Sequence, residues 1–212
     1  MGAGRVTGPD GFVLLPGYFD RAAQESLLIE VLAAIDAAPL YQPVMPRTGQ
    51  PLSVKMTNMG TLGWISDRKG YRYEPAHPVT GQPWPPMPQA LGDLWDTFGN
   101  WPDRPEACLV NYYGPEARMG LHIDADEDTL DAPVISVSLG DRARFRLGGP
   151  ERSGPTRSMV LSSGDVVVLG GASRRFYHGV DRIYPGTSTL LPEHLRPGRI
   201  NLTLRRVRAA AQ

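Results

Sequence analysis

The sequence predicts a mainly β protein with flanking helices and a jelly-roll-like core. Eight short apolar runs follow Pro105, and Gly, Pro, Asp or Ser separates many of them. Short strands with frequent turns are typical of a sandwich or barrel. No helix-length pattern interrupts these runs, which disfavours a parallel α/β sheet. The predicted strands are Ala107–Tyr113, Arg118–Ile123, Pro133–Leu139, Ala143–Leu147, Ser158–Leu161, Val166–Leu169, Phe176–Val180 and Arg199–Val207.

The N-terminal part predicts a loose arm, one strand and one helix. Residues 1–10 have the composition of an arm, and Phe12 to Leu15 form an apolar run closed by Pro16-Gly17. Asp20 is a suitable N-cap, and Pro39 ends the helix that follows. The apolar residues of this helix recur at helical spacing and are expected in the core: Leu27, Leu28, Val31, Leu32 and Ile35.

The composition changes between residues 41 and 86. Pro, Gly, Tyr, Trp and Met are frequent there, and turn residues interrupt every stretch with strand propensity. Large aromatic residues on an irregular segment have two interpretations. They form a flap that stacks a planar ligand over a site, or they fill the core of a loop-rich subdomain.

A second helix is predicted to begin at Pro88, because proline is tolerated in the first turn. Its apolar residues Leu91, Leu94, Trp95 and Phe98 share one face and are expected in the core. Gly99-Asn100 ends it.

Composition limits the class of protein. The 212 residues carry no formal net charge, with 41% hydrophobic and 21% charged residues, and predict one domain over residues 1–212. Neutral charge leaves nucleic-acid binding to local patches. Cys108 is the only cysteine, and the N-terminus lacks a signal-peptide pattern. No apolar segment is long enough to span a membrane, so we expect a cytoplasmic protein. A monomer is a separate expectation.

Two histidines and an aspartate are candidate metal ligands. His122 and Asp124 lie two residues apart, and in a strand such side chains point to the same side. His178 would complete a set of two imidazoles and one carboxylate, which binds non-haem Fe(II) and leaves positions open. The alternative is that three unrelated residues match the pattern by chance.

The C-terminal run from Arg199 to Arg205 alternates polar and apolar residues. As a strand it places Ile200, Leu202 and Leu204 on one side. The opposite side is polar and carries Arg199, Asn201, Thr203 and Arg205. That side is either exposed to solvent or forms a binding site for a dicarboxylate, since guanidinium groups donate paired hydrogen bonds to carboxylates. An Fe(II) triad beside such a strand suggests iron and 2-oxoglutarate.

Two other charged stretches have surface interpretations. Arg142, Arg144 and Arg146 alternate with apolar residues, which favours a solvated outer strand face over a phosphate-contacting one. The acids that follow the candidate ligands are interpreted mostly as a solvated loop: Asp126, Glu127, Asp128 and Asp131. Asp126 continues the two-residue spacing from Asp124 and is placed at the site.

Longer motifs resemble the AlkB family of bacterial DNA-repair dioxygenases over nearly the whole chain beyond the first ten or so residues. Runs of this length in one consistent order are far more specific than a triad alone. The matching runs are Met56–Asn58, Leu62–Trp64, Arg68–Tyr71, Pro83–Pro88, Ala107–Leu109, Leu121-His122 with Asp124 and Asp126, Ala132–Gly140, Gly164–Val168, Phe176–Gly179, and Arg199 with Asn201–Thr203 and Arg205.

The resemblance implies a double-stranded β-helix (jelly-roll) core over about residues 107–208, and a nucleotide-recognition lid over about 41–86. It implies that His122, Asp124 and His178 bind Fe(II), and that 2-oxoglutarate and O2 are cosubstrates. Arg199 would pair with the distal carboxylate of 2-oxoglutarate. The rest of the cosubstrate would contact Asn111, Tyr113, Asn201 and Arg205.

The resemblance also implies a reaction. The expected activity is oxidative demethylation of bases such as 1-methyladenine and 3-methylcytosine in DNA, single- or double-stranded, or in RNA, with release of formaldehyde, succinate and CO2. Trp64 would stack the flipped base against His122, and Asp126 would read its exocyclic amine. Tyr71 and Arg152 would make further substrate contacts.

Two alternative functions are also compatible with the sequence. A 2-oxoglutarate dioxygenase of this kind could act on RNA, protein or a small molecule. A non-enzymatic single-strand-binding module with a structural metal would need a closed four-ligand site. The sequence offers no fourth ligand and no cysteine besides Cys108.

Overall fold

The structure is a computed structural model that describes residues 4–209. Its two main sheets are antiparallel, as the short strands predict. The helices are α1 (Arg21–Ala37) and α2 (Gln89–Phe98). The strands are β1 (Val6–Thr7), β2 (Phe12–Leu15), β3 (Lys55–Gly60), β4 (Gly63–Asp67), β5 (Gly70–Glu74), β6 (Ala107–Tyr113), β7 (Met119–His122), β8 (Val134–Gly140), β9 (Arg142–Leu147), β10 (Arg157–Leu161), β11 (Val166–Leu169), β12 (His178–Tyr184) and β13 (Arg199–Arg205).

The large sheet has seven strands in the order β1-β2-β11-β8-β13-β6-β3, and the small sheet has four in the order β10-β9-β12-β7. Side chains from both sheets form one apolar cluster, which includes Tyr113 and Val134 of the large sheet and Phe145 and Val180 of the small one. The two sheets therefore pack face to face, which confirms the predicted mainly β fold with a jelly-roll core. All eight predicted strands are present.

The two helices cover the other face of the large sheet. Val31 of α1 and Trp95 of α2 belong to the same core cluster as Ile200, Leu202 and Leu204 of β13. Each fully buried aliphatic side chain of this kind stabilises the fold by about 1.5–3 kcal/mol. The predicted apolar side of the C-terminal strand thus faces the helices, and its polar side faces the space between the sheets.

The helix ends follow the predicted signals. The Asp20 carboxylate accepts a hydrogen bond from the backbone N–H of Ala23 at 2.9 Å, and α1 ends two residues before Pro39. An N-cap of this type contributes about 1 kcal/mol. Pro88 occupies the N-cap position of α2, and Asn100 follows the helix with a φ of 44°.

Two predicted segments are more ordered than expected. The predicted arm includes β1, which pairs with β2; residues 1–3 of that arm lie outside the described range. Within the predicted lid, β3 pairs with β6 and is an edge strand of the large sheet, so only part of residues 41–86 is separate from the core. The separate part includes the β4–β5 hairpin.

The arginines of β9 face outward, as predicted. Arg142 is exposed, Arg144 pairs with Asp181 at 2.7 Å, and Arg146 donates to the Thr156 hydroxyl. Across residues 4–209, no helix combines the length and the apolar character needed to cross a membrane.

Candidate metal and cosubstrate site

A cavity of about 290 Å³ lies between the two sheets. Its volume is close to the lower end of the range for small-molecule sites, about 300 Å³. Eleven of the twelve predicted site residues line it: Trp64, Tyr71, Asn111, Tyr113, His122, Asp124, Asp126, His178, Arg199, Asn201 and Arg205. Arg152, the twelfth, does not line this cavity.

The two candidate imidazoles are brought together by strand pairing. His122 of β7 lies directly opposite His178 of β12, and the two ring centroids are 4.6 Å apart. The Nδ1 of His122 lies 2.9 Å from the Gly120 carbonyl oxygen, and the Nδ1 of His178 lies 3.0 Å from that of Phe176. A carbonyl oxygen only accepts, so each Nδ1 carries the hydrogen and each Nε2 keeps a lone pair for a metal.

Asp124 reaches the histidines by a different route from the one predicted. Strand β7 ends at His122, so the alternation of a continuous strand does not extend to Asp124. Its backbone carbonyl accepts a hydrogen bond from the Arg174 guanidinium at 2.5 Å, and its Oδ1 accepts one from Arg205 at 2.6 Å. Two buried arginines therefore hold Asp124 in place.

The three ligand atoms form a compact group. They lie within 4.8 Å of one another, with His122 Nε2 at 3.6 Å and His178 Nε2 at 3.7 Å from the Asp124 carboxylate. The side chain of Asp124 is 4% exposed and that of His122 is 38% exposed. The triad is thus buried on one side and open on the other, as a site with free coordination positions requires.

Electrostatics favour the metal-binding forms of two ligands. Burial opposes ionisation of Asp124, but the surrounding basic groups, of which Arg205 contributes most, together outweigh it and hold the pKa of this carboxyl well below its ordinary value. Burial lowers the pKa of His178 to about 4, so its imidazole is neutral at pH 7. A carboxylate and a neutral imidazole are the forms that bind a metal.

Arg199, at the start of β13, is a buried cation without an acid partner. It has no accessible surface, and across residues 4–209 no salt bridge involves it. Its guanidinium donates to the Ser138 hydroxyl at 2.7 Å and to the Asp141 carbonyl at 3.4 Å, and its Nε has no partner within the described part of the chain. Burial lowers its pKa to about 10, so it stays charged at pH 7. A buried, underpaired guanidinium that lines a cavity fits an incoming carboxylate.

Arg205, at the other end of the same strand face, is already paired. It donates to Asp124 at 2.6 Å and to Glu127 at 3.1 Å, and only its Nε has no partner among residues 4–209. These acids offset the effect of burial and raise its pKa above the ordinary value for arginine. The polar face of β13 therefore has one open guanidinium and one occupied by protein carboxylates.

Neutral polar groups complete the wall between the arginines. The Asn201 amide donates to the Ser136 hydroxyl at 2.6 Å and accepts from the Thr203 hydroxyl at 3.0 Å. Asn111 is buried, and its Oδ1 has no hydrogen-bond partner among the described residues. Burial raises the pKa of Tyr113 to about 12, so its hydroxyl remains a neutral donor. The unpaired oxygen of Asn111 is an acceptor and needs a donor such as water, whereas the amide nitrogen of the same side chain is the group that a carboxylate or keto oxygen would accept from.

The β4–β5 hairpin forms the aromatic side of the cavity. The indole ring of Trp64 stacks on Tyr71 with centroids 5.4 Å apart and an interplanar angle of 19°. The indole N–H donates to Asp126 at 2.7 Å, which orients both groups at the entrance. Tyr71 is 51% exposed, so the outer side of this stack is accessible to a ligand.

Two buried residues near the site, Glu127 and Arg174, and the partly buried Tyr73 were not predicted from the sequence. Glu127 was assigned to a solvated loop, which is wrong, because its side chain has no accessible surface. It pairs with Arg174 at 3.0 Å and accepts from the Tyr73 hydroxyl at 2.5 Å. The sequence gives little signal for these contacts, because the partners lie 47 and 54 residues from Glu127.

A jelly-roll that places two imidazoles, a carboxylate and an open arginine around one cavity defines a class, the metal-dependent oxygenases that use a keto-acid cosubstrate. The sequence model of the 2OG-Fe(II) oxygenase superfamily matches residues 11–205. The chain belongs to this superfamily and, within it, to the AlkB family of dioxygenases.

The similar proteins cover nearly the whole chain. An alpha-ketoglutarate-dependent dioxygenase AlkB homolog of Caulobacter vibrioides is 53% identical over 200 residues, 94% of this chain and 89% of that protein. The corresponding AlkB of Escherichia coli is 43% identical over 199 residues, 92% of this chain and 89% of its own length. The solved structure of OsALKBH1 has a TM-score of 0.75 and 30% identity, and covers 96% of this chain and 100% of that one.

Membership of the superfamily decides between an enzyme and a non-enzymatic binding module, which were both considered from the sequence. The chain is an Fe(II)-dependent dioxygenase with 2-oxoglutarate (alpha-ketoglutarate) and O2 as cosubstrates, as predicted. A non-enzymatic binding module with a structural metal is therefore excluded.

Proposed function

We propose that this dioxygenase removes methyl groups from ring nitrogens of bases in DNA, and that RNA is a further substrate. The favoured substrates are 1-methyladenine and 3-methylcytosine. Two more distant relatives carry names that state a substrate. The DNA N(6)-methyladenine demethylase ALKBH1A of Arabidopsis thaliana is 35% identical over 169 residues, 69% of this chain and 48% of that protein. The tRNA demethylase abh1 of Schizosaccharomyces pombe is 30% identical over 177 residues, 75% of this chain and 57% of that protein.

One observation carries the proposal. A single cavity is lined by the His122, Asp124 and His178 triad, by the open guanidinium of Arg199 and by an aromatic hairpin. The triad provides ligands for Fe(II), Arg199 provides a partner for a carboxylate, and Trp64 provides a flat surface for a base. These are the three components that demethylation of a base with 2-oxoglutarate requires.

The residues have distinct roles in this proposal. His122, Asp124 and His178 bind Fe(II), and Arg199 pairs with the distal carboxylate of 2-oxoglutarate. Asn111, Tyr113 and Asn201, which line the same cavity, contact the cosubstrate. Arg205 contributes its free Nε and, through Asp124, orients the metal ligand.

The bound iron supplies the activation of O2 that oxidises the methyl carbon and converts 2-oxoglutarate to succinate and CO2. The hydroxylated methyl group leaves as formaldehyde and restores the N–H or ring nitrogen of the base. The side chains of this protein hold the reactants in place and exclude water. The apolar wall of the cavity, which includes Leu109, Phe145 and Val167, serves that exclusion.

The hairpin selects the substrate in this proposal. A base methylated on a pairing nitrogen is cationic and poorly paired, so it is removed from a helix at low cost. Trp64 stacks such a base on the side of His122, and the indole face favours its positive charge. Asp126 lies 2.7 Å from the Trp64 indole nitrogen and contacts the exocyclic amine. Tyr71 makes further substrate contacts.

Several finer expectations stay predictions. Arg152 does not line the cavity, and its contact with the substrate stays a prediction. The choice between single and double strands, the monomeric state and the cytoplasmic location also stay predictions.

The test is mass spectrometry of methylated oligonucleotides incubated with the protein, Fe(II) and 2-oxoglutarate in air. The panel contains 1-methyladenine or 3-methylcytosine in single-stranded DNA, double-stranded DNA and RNA, with Asp124→Ala protein as the blank. We expect loss of the methyl group, with one formaldehyde released per succinate formed. Turnover of protein or small-molecule substrates, with no loss of methyl from any oligonucleotide, would support the alternative.

A further inference from the structure

The hairpin is joined to the metal-ligand loop at two adjacent points. Trp64 of β4 and Tyr73 of β5 lie directly opposite each other in the hairpin. The Trp64 indole donates to Asp126 at 2.7 Å, and the Tyr73 hydroxyl donates to Glu127 at 2.5 Å. One pair of cross-strand aromatic residues thus contacts two consecutive acids, which follow Asp124 in the chain.

Of these two contacts, the one made by Tyr73 is the more buried: it is partly buried, whereas the Trp64 contact is exposed. The side chain of Glu127 has no accessible surface, and its carboxylate is shared by Tyr73, Arg174 at 3.0 Å and Arg205 at 3.1 Å. The ring of Tyr73 packs beside Leu62, Ala107 and Val207. Burial raises the pKa of the Tyr73 hydroxyl, so it stays a neutral donor. Water therefore has little access to the carboxylate end of this contact.

The contact continues to the metal ligand. Arg205 donates to the Tyr73 hydroxyl at 3.1 Å, to Glu127 at 3.1 Å and to the Asp124 carboxylate at 2.6 Å. Only one guanidinium separates the hydroxyl of a hairpin residue from a candidate metal ligand. A shift of Tyr73 changes the position of Arg205 and, with it, the orientation of the Asp124 carboxylate.

We propose that Tyr73 is a positioning residue that couples the position of the β4–β5 hairpin to the orientation of the Asp124 carboxylate. A base that stacks on Trp64 fixes β4 and, through the cross-strand pair, fixes Tyr73 on β5. The Asp124 carboxylate then takes the orientation that supports productive turnover. This inference rests on the proposed function, because it assigns Asp124 to the metal and the hairpin to the base.

A purely structural Tyr73 would have different consequences. Loss of its hydroxyl would then lower the melting temperature and leave the properties of the loaded metal site unchanged. The coupling role instead predicts a change at the metal in a protein that remains folded. Tyr73→Phe is suited to separate the two, because it keeps the ring between Leu62 and Val207 and removes only the hydroxyl.

The experiment compares wild type, Tyr73→Phe and Tyr112→Phe, each loaded with Co(II) and 2-oxoglutarate. Tyr112→Phe is the matched control, because its hydroxyl also donates to one protein oxygen, the Leu195 carbonyl at 3.2 Å, on the helix side of the large sheet. The visible absorption of Co(II) reports its ligand geometry. We expect Tyr73→Phe to shift this spectrum without any oligonucleotide, and Tyr112→Phe to match wild type.

A second measurement uses Fe(II) protein and a methylated oligonucleotide. We expect Tyr73→Phe to raise the ratio of succinate to formaldehyde by about fivefold or more, within the usual range of coupling between sites. The KM for the oligonucleotide should change little, because Trp64 and Tyr71 are retained. The control should keep the wild-type ratio.

The outcomes separate the two proposals. Wild-type protein that demethylates no oligonucleotide would contradict the proposed function, while the Co(II) spectra would still decide whether Tyr73 positions Asp124. A Tyr73→Phe spectrum and product ratio identical to wild type would overturn the coupling role. A lower melting temperature with an unchanged spectrum would assign Tyr73 to stability alone.

Discussion

Strand β13 carries a buried arginine at each end, and the two arginines have opposite surroundings. Arg205 contacts two buried acids, Asp124 and Glu127, whereas no salt bridge involves Arg199 among the residues that the structure describes. Burial lowers the pKa of Arg199, while the acids around Arg205 raise its pKa despite burial. Arg205, at the paired end of the strand, holds two protein carboxylates in place, whereas Arg199, at the unpaired end, is available to bind a ligand carboxylate.

This difference explains how one polar strand face serves two purposes. A buried charge without a partner is costly, so a protein retains one where a ligand supplies the opposite charge. A buried charge with two partners is instead part of a network whose members depend on one another. The comparison can be tested by changing each end separately.

The largest expected effect is at the paired end. Asp124→Ala removes a metal ligand and also one acid partner of Arg205. We expect no detectable Fe(II)-dependent formation of succinate, and a loss of Co(II) affinity measured by titration. Succinate formation at the wild-type rate, with metal content controlled, would show that Asp124 is not a ligand.

Arg205→Met should strongly destabilise the protein. The change leaves the buried carboxylate of Asp124 without its guanidinium partner and leaves Glu127 with Arg174 alone, and breaking a buried ion pair costs about 3–5 kcal/mol. Urea unfolding of the metal-free protein measures this loss. A loss below about 1 kcal/mol, the range of exposed pairs, would mean that the network is not important for folding.

Trp64→Ala should have an intermediate effect that is confined to the substrate. Stacking on an aromatic ring contributes about 1–3 kcal/mol per base, so the kcat/KM for a methylated oligonucleotide should fall by about 5- to 150-fold. Turnover of 2-oxoglutarate without oligonucleotide should persist, because neither the triad nor Arg199 contacts this ring. Equal loss of both activities would contradict the assignment of Trp64 to the base.

The smallest expected effect is at the unpaired end. Arg199→Met removes a buried cation that has no acid partner and keeps a side chain of similar length. We expect the metal-free protein to be as stable as wild type or more stable, because the desolvation cost of the charge is removed. A loss as large as that of Arg205→Met, measured in the same urea series, would abolish the distinction between the two ends.

The sequence predicted the fold and most of the site where the signal is local. The alternation from Arg199 to Arg205 correctly separates the side chains that face the helices from those that face the cavity. The strand pattern after Pro105 likewise predicts every strand of the small sheet. Both signals depend only on residues close together in the chain.

The sequence failed where burial depends on distant partners. Glu127 lies among Asp126, Asp128 and Asp131, a composition typical of a solvated loop, yet it is buried by arginines 47 and 78 residues away. Asp124 joins the histidines through Arg174 and Arg205 rather than through strand alternation. Tyr73 was predicted only as one of the aromatic residues of the segment 41–86, because its hydrogen bond to Glu127 depends on how the hairpin packs against that loop.

The most direct test is calorimetric titration of 2-oxoglutarate into Mn(II)-loaded protein, in which turnover is prevented. We expect binding of one 2-oxoglutarate to wild type and a loss of affinity of about 30-fold or more in Arg199→Met, since removal of one partner of a buried charge pair costs about 2 kcal/mol or more. Arg21→Met, which changes an exposed arginine of α1, is the control and should bind as wild type. Equal affinity of Arg199→Met and wild type for 2-oxoglutarate would show that the Arg199 guanidinium does not bind the cosubstrate carboxylate.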